Sequence, residues 1–404
     1  MDVLIFASTL GADLLALSHF LDQKEEVRLK ILVKDKKVFL NEGIAELYPL
    51  DCDLFERRWY HNLVGLRGFQ PDITILDKDI PYRSSSKNGM VLWHGFGWKG
   101  PNDEEEFTWV HRLLKWCWGE TKEKNENFVW QCFGEWDYEH RTKVSGFHEE
   151  NCKILGAASH DYLINPLDKE KAQCYYDFDI VNRPTVMIAP TWHYGEVFKH
   201  WDSDKEIFPK IVDQITNHGA NVLLRLHDSF RFDDNYVTFL KELAAEKDQV
   251  MLKFKDHHPD NLLDLQIADT LITNYSSIAN LFYATGKPTI HIYPVNDADE
   301  EFMWRTHHIT GTRETAVDSA RYIWKLPPEE NGGIIANNLT ELTDQINLVL
   351  KDPKCCEEKA RDFLDTYMLG ADGKNCERIW QAMKELVYDT SDEILKNDKN
   401  LQPA

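Results

Sequence analysis

Two hydrophobic rhythms alternate along the chain. Short, nearly continuous apolar runs come first: Val3–Ala7, Arg28–Val33, Asp72–Leu76 and Met90–Trp93. Runs of this kind, rich in Val, Ile and Leu, predict strands buried on both faces, as in a parallel sheet. Between them apolar positions return every three or four residues, as over Asp13–Leu21 behind Gly11, which predicts an amphipathic helix. Strand–helix alternation of this type implies a parallel α/β sheet.

The rhythm lapses over residues 101–150, a charged and aromatic stretch. Seven of the 13 tryptophans fall between Trp93 and Trp136. A helical insertion packed on the first sheet accounts for this texture. A surface for a substrate is the functional alternative, since Trp and Tyr supply large amphipathic contact areas. The polar segment Asp168–Arg183 ends at Pro184 and is the expected domain junction.

Alternation then restarts. Strands are predicted over Thr185–Ala189, Asn221–Leu226, Val250–Phe254, Thr270–Thr273 and Pro288–Ile292. Helices are predicted over Lys205–Asn217, Tyr236–Glu246, Asp260–Gln266, Ser276–Ala284, Leu339–Lys351 and Asn375–Tyr388, with a polar tail from Thr390. The expected class is therefore α/β, with two Rossmann-like doubly wound domains facing a cleft. One covers 1–170, with the aromatic-rich insertion at about 101–150, and the other covers 184–370. Residues 371–404 form a closing helix and tail, the helix packing back on the N-terminal domain. Ligands in such sheets sit beyond the carboxyl ends of the strands, so candidate chemistry is sought there.

Composition narrows the function classes. A length of 404 residues suits two domains. The 46 Lys+Arg against 68 Asp+Glu give a net charge of -22, and that average field repels a nucleic acid. An anionic membrane is disfavoured too, and no run of Lys or Arg offsets this, so at most peripheral membrane contact is expected. The N-terminus lacks the layout of a signal peptide, and no apolar stretch is long enough to span a bilayer. Eight cysteines, with no C-x-x-C, read as reduced thiols of a cytoplasmic protein.

Four strand-end motifs carry candidate chemistry. Thr273-Asn274-Tyr275-Ser276-Ser277 joins a strand to a helix. Free N–H groups at a helix start, with two adjacent hydroxyls, suit phosphate oxygens; a plain serine cap is the alternative. Leu224-Arg225-Leu226-His227-Asp228 ends a buried strand and offers a guanidinium and an imidazole. Trp93-His94-Gly95-Phe96-Gly97-Trp98-Lys99 presents a candidate general base, two glycines that permit close backbone approach, and a cation. Ala189-Pro190-Thr191 ends the first strand of the second half. Each could also be an ordinary turn, cap or surface pair. Neither a Walker loop nor a dinucleotide fingerprint is present.

In their order, these motifs resemble the CDP-glycerol glycerophosphotransferase family, the teichoic-acid polymerase and primase type. Trp93–Lys99 looks like its H-G-x-x-x-K element, Ile188–Trp192 its A-P-T strand end, and Arg225-Leu226-His227 its R-P-H-P element. Leu155–Leu163 looks like the end of its N-domain, and Asp264–Pro288 is similar to its long block containing I-T-D-Y-S-S. The chain departs from the pattern in places. Asn274 stands where the family has an acidic residue, and Leu226 and Asp228 stand where it has prolines.

The resemblance implies a GT-B fold with an acceptor domain first and a nucleotide-donor domain second. It implies glycerol phosphate transfer from CDP-glycerol to a hydroxyl of a cell-surface glycan or lipid-linked acceptor, such as teichoic acid or capsule, with release of CMP. His94 and His227 would be catalytic. Arg225, Thr273, Ser276, Ser277, Lys99 and Thr191 would bind the donor and its phosphates. No cofactor and no bound metal are implied; the nucleotide diphosphate is the substrate. The expected location is the cytoplasm, at most against the inner face of the membrane. Alternatives on the same fold are a glycosyltransferase or 2-epimerase using a UDP-sugar, or an inactive nucleotide-binding homologue.

Overall fold

The structure is a computed structural model. It describes all residues except 42–43, 94, 101, 192–196, 199–200, 227–233, 255–257, 259–260, 293–301, 309–310, 318–322 and 400–404. It also leaves aside the side chains of 41, 44, 99–100, 302–308, 311–317, 323 and 389–399. The chain folds as two compact units. The first comprises Met1–Gly95, Asp103–Tyr162 and Asp365–Ala404, and the second Phe96–Asn102 and Leu163–Leu364.

The first unit holds β1 (Asp2–Phe6), β2 (Arg28–Val33), β3 (Asp53–Glu56), β4 (Ile73–Leu76) and β5 (Asn88–Val91). The two-residue β6 (Lys99–Gly100) belongs to the second unit. β7 (Phe128–Cys132) and β8 (Cys152–Ile154) complete the first. They form one parallel sheet in the order β3-β2-β1-β4-β5-β7-β8.

The stretch 101–150, expected as an insertion, instead contributes β7 to the body of this sheet. All five residues of β7 are buried, so it lacks the in–out alternation that would have marked it. Most of its aromatics are core. The Trp130 ring lies 4.5 Å from Phe147, 5.1 Å from Trp93 and 5.6 Å from Phe107. Trp118 fills the space above Gly89, where an added Cβ would sit 2.3 Å from the indole. Only Trp109 and Trp116, on the helix Thr108–Trp118, are well exposed in this group.

The helix Asn375–Lys399 closes the first unit. Its first N–H groups, of Asn375 and Cys376, donate to the Asp161 carboxylate at 2.9 and 2.7 Å. Ser159, two residues earlier, donates its hydroxyl to Asp13 at 2.6 Å. The Leu155–Leu163 segment thereby ties together the starts of the first and last helices.

The second unit contains β9 (Thr185–Ile188), β10 (Asn221–Leu226), β11 (Val250–Phe254), β12 (Thr270–Thr273) and β13 (Thr289–Ile292). An antiparallel hairpin, β14 (Phe302–His308) with β15 (Gly311–Val317), follows. Then come β16 (Ile323–Trp324), paired antiparallel with β6, and β17 (Ile334–Ala336). The main sheet is parallel, in the order β11-β10-β9-β12-β13-β17. Counted from β9, this is the 3-2-1-4-5-6 order of a dinucleotide-binding unit, with its switch point between β9 and β12. Its core joins Val186, Ile188, Leu224 and Ile272 on strands to Ile207, Ile211 and Ile215 on the helix Asp204–Asn217. Each such side chain contributes about 1.5–3 kcal/mol on burial. Both units are Rossmann-like, the pair of folds found in GT-B chains.

All eight cysteines are free. Among the described residues, no helix is long and apolar enough to cross a membrane.

Candidate active site

The switch point of the second unit is where sequence motifs and structure meet. β9 runs out into Ala189-Pro190-Thr191 and β12 into Asn274-Tyr275-Ser276-Ser277. The two loops are bonded to each other. The Thr273 hydroxyl donates to the Ala189 carbonyl at 2.8 Å, and the Thr191 N–H donates to Asn274 Oδ1 at 2.6 Å. A threonine has one O–H to give. That of Thr273 is buried and given to the Ala189 carbonyl, so its side chain joins the two loops.

Tyr275 adopts φ 64°, a left-handed backbone among the described residues otherwise found only at glycines. A non-glycine there carries strain of about 1–3 kcal/mol, so the surroundings must hold it. The Tyr275 hydroxyl donates to the Pro328 carbonyl at 2.8 Å. Its ring lies 4.5 Å from His291, 5.4 Å from Trp98 and 5.1 Å from Trp324. His291 is in turn bonded to the Tyr283 hydroxyl at 2.6 Å. Burial, with Lys359 nearby, pushes the His291 imidazole down to about 3, so it is neutral. Trp98, from the Trp93–Lys99 motif, thus packs against the turn that leads into Ser276 and Ser277.

The backbone reversal at Tyr275 leads into Ser276 and Ser277, which are part-exposed. Among the described residues, no group bonds either hydroxyl. The helix that follows, Ile278–Phe282, has no side-chain cap and continues as a 3₁₀ turn to Gly286 at φ 68°. A helix this short has little dipole, so any anion affinity rests on local N–H and O–H donors.

Arg225 sits at the end of β10, opposite Lys253 on β11. Both are buried, and both meet the buried carboxylate of Asp264. Arg225 Nη1 donates to Asp264 Oδ2, and Lys253 Nζ donates to Asp264 Oδ1 at 2.8 Å. The Tyr176 hydroxyl donates to the same carboxylate, and the Lys253 ammonium lies 4.3 Å from the centre of the Tyr176 ring. Arg225 Nη2 donates to the His258 carbonyl at 2.8 Å. Burial alone would raise the Asp264 carboxyl, but the Lys253 and Arg225 charges outweigh it and hold it below the usual carboxylate range. Two cations share one anion, which leaves one positive charge in excess among these three side chains. Both terminal nitrogens of Arg225 are engaged internally, so it acts here as a fixed charge under the strand ends.

Lys99 lies in β6, its backbone paired with Trp324. His94 and His227 lie outside the described residues, and so does the side chain of Lys99. The structure therefore brings Thr191, Thr273, Ser276 and Ser277 together at one switch point, with Arg225 at the end of the adjacent strand β10. Sequence reading missed Lys253, Asp264, Tyr176 and the bonding role of Asn274. Lysine and arginine in register on two otherwise apolar strands were the available signal.

Residues 139–385 match the CDP-Glycerol:Poly(glycerophosphate) glycerophosphotransferase family, which is more than half of the chain. Among solved structures, the wall teichoic acid polymerase TagF superposes with a TM-score of 0.67 at 13% identity, over 96% of this chain and 89% of that one. MnaA of S. aureus, in complex with UDP, gives 0.55 at 10% identity over 95% and 96%. UDP-GlcNAc 2-epimerase from Neisseria meningitidis, bound to UDP-GlcNAc, gives 0.53 at 12% identity over 95% and 99%. No curated protein matches the chain in sequence. The structural likenesses carry the fold, and the family match carries the chemistry: the chain belongs to the CDP-glycerol glycerophosphotransferase family and is a transferase that uses CDP-glycerol.

Proposed function

We propose that the protein moves glycerol phosphate from CDP-glycerol to a hydroxyl of a cell-surface glycan or lipid-linked acceptor. The acceptor oxygen forms a bond to the phosphorus that carries glycerol. The bond from that phosphorus to the bridging oxygen breaks, and CMP leaves with the electron pair. The acceptor proton passes to His94, the imidazole of the H-G-x-x-x-K element. Phosphoryl transfer of this kind needs positioning and fixed positive potential more than covalent help.

In this reading the Ser276 and Ser277 hydroxyls bind diphosphate oxygens, with the Thr191 loop held beside them by Asn274. The excess positive charge of the Arg225–Lys253–Asp264 cluster stabilises the charge that develops on the leaving CMP. His227, two residues beyond Arg225, and Lys99 add a proton and a cation. The chemistry requires no cofactor. The observation that carries the reading is the bonded pair of loops at the β9/β12 switch point, with two serine hydroxyls that no group bonds among the described residues.

The test is incubation with CDP-glycerol and a poly(glycerol phosphate) or glycan acceptor, followed by assay of CMP. Loss of CMP release in His94→Ala and in Ser276→Ala/Ser277→Ala supports the assignment. Turnover unchanged in both refutes these residues. UDP released from a UDP-sugar, with no CMP from any CDP-polyol, would instead favour the sugar-transfer alternative.

A further inference from the structure

Only one end of the Asn274 amide is used by the bonding at the switch point. Its Oδ1 accepts the Thr191 N–H at 2.6 Å. A backbone N–H can only donate, so the atom facing it is the amide oxygen, and the NH2 group lies on the other side of the amide. That nitrogen has two N–H donors to give. Among the described residues neither finds an acceptor. Asn274 is only 3% exposed, and the large majority of polar atoms in side chains so buried have a partner. An unmet amide at this depth marks the place of a partner from outside the chain.

The side chain reaches from the exit of β12 to the loop that leaves β9, so it lies across the crevice between the two strands. Thr273, one residue earlier, gives its hydroxyl to the same loop. Ser276 and Ser277 follow, with hydroxyls that no group bonds among the described residues. Holding the two loops together does not call for an amide. A carboxylate of the same shape would accept the Thr191 N–H equally well, and an acidic residue stands here in the family pattern. What asparagine adds is a pair of donors and one negative charge fewer.

We propose that Asn274 is a donor-binding residue, its Nδ2 donating to an oxygen of the nucleoside diphosphate beside the Ser276 and Ser277 hydroxyls. The inference rests on the reading of this switch point as the donor site. The ligand class follows from the groups present. Amide N–H and serine O–H donors, with the excess positive charge at the end of the neighbouring strand β10, suit an anion that carries several acceptor oxygens and no donors. The Thr191 bond holds the amide in place before the ligand arrives, so little rotamer freedom is lost on binding.

Calorimetric titration of the full chain with CDP tests this, on wild type, Asn274→Asp and Asn274→Ala. Asn274→Asp keeps the Thr191 bond but replaces the donors with a charge facing phosphate, so CDP affinity should fall at least about hundredfold. Asn274→Ala loses the donors without adding charge and should fall about tenfold. Melting curves establish that each variant is folded at the titration temperature. The Asn274→Asp deficit should persist at about 0.5 M salt, since a lost contact is not screened. If Asn274 only joins the loops, Asn274→Asp binds CDP as the wild type does; that result overturns the inference and leaves the serine assignment standing. A deficit that salt abolishes reports a distant charge and overturns it too. A wild type that fails to bind CDP removes the donor site, and this inference with it.

Discussion

Asp264→Asn tests the electrostatic floor of the site. The carboxylate is buried and holds two buried cations, Lys253 at 2.8 Å and Arg225. At that distance and an effective dielectric of about 20, the gross attraction to one cation is about 6 kcal/mol. Most of this is offset by desolvation of the ions. Removing the carboxylate leaves the desolvation in place with no compensation and sets two cations against each other, a loss of about 3–5 kcal/mol. Denaturant unfolding of wild type and variant, read by a probe in the second unit, measures it. The pH dependence has a definite sign. The folded carboxyl titrates below its usual range, so the unfolded chain binds the proton first. The contribution is complete above pH about 4 and is lost as the pH falls through the folded value. A companion variant, Arg225→Met/Lys253→Met/Asp264→Leu, removes all the charge and should restore most of the stability while CMP release stays low. A loss under about 1 kcal/mol in Asp264→Asn, or full activity in the triple variant, would refute the reasoning.

Four further outcomes are expected. Ser276→Ala and Ser277→Ala should leave unfolding within about 0.5 kcal/mol, since neither hydroxyl bonds any described residue, yet lower CMP release about 10²-fold or more. Asn274→Ala leaves the Thr191 N–H without its acceptor and should cost about 1–3 kcal/mol in denaturant unfolding, whereas Asn274→Asp keeps the acceptor and most of the stability. Tyr275→Phe frees the Pro328 carbonyl and should cost about 1 kcal/mol by the same measurement, with the left-handed turn retained. His291 is neutral when folded and titrates near pH 3. The unfolded chain takes up that proton first below pH about 6.5, so stability declines from there with a slope of up to about 1.4 kcal/mol per unit; His291→Gln should flatten this limb of a pH–stability curve.

The apolar runs disclosed the frame because both main sheets are parallel and buried, so Val3–Ala7 or Asn221–Leu226 can only be strands. β7 escaped because Phe128–Cys132 mixes Trp, Gln and Cys without a period. The hairpin β14–β15 escaped because polar residues interrupt both of its strands. The strand–turn–helix placement of Ser276 and Ser277 was legible, since the apolar run Thr270–Thr273 ends directly before them. Its supports were not: Tyr275 meets Trp98, far away in sequence, and Asp264 meets partners on two strands and on a segment near Tyr176. Contacts of that range follow from topology. Thr273 shows the converse, a hydroxyl in the right motif that the fold commits to a neighbouring carbonyl.

The proposed function rests on the β9/β12 switch point binding a cytidine diphosphate donor and passing on its glycerol phosphate. Single-turnover assay of CDP-glycerol with a poly(glycerol phosphate) acceptor measures this directly. One CMP released for each glycerol phosphate added to the acceptor is expected, and neither product from the Ser276→Ala/Ser277→Ala variant. Growth of the acceptor at the wild-type rate in that variant, or no CMP from the wild type, would contradict it.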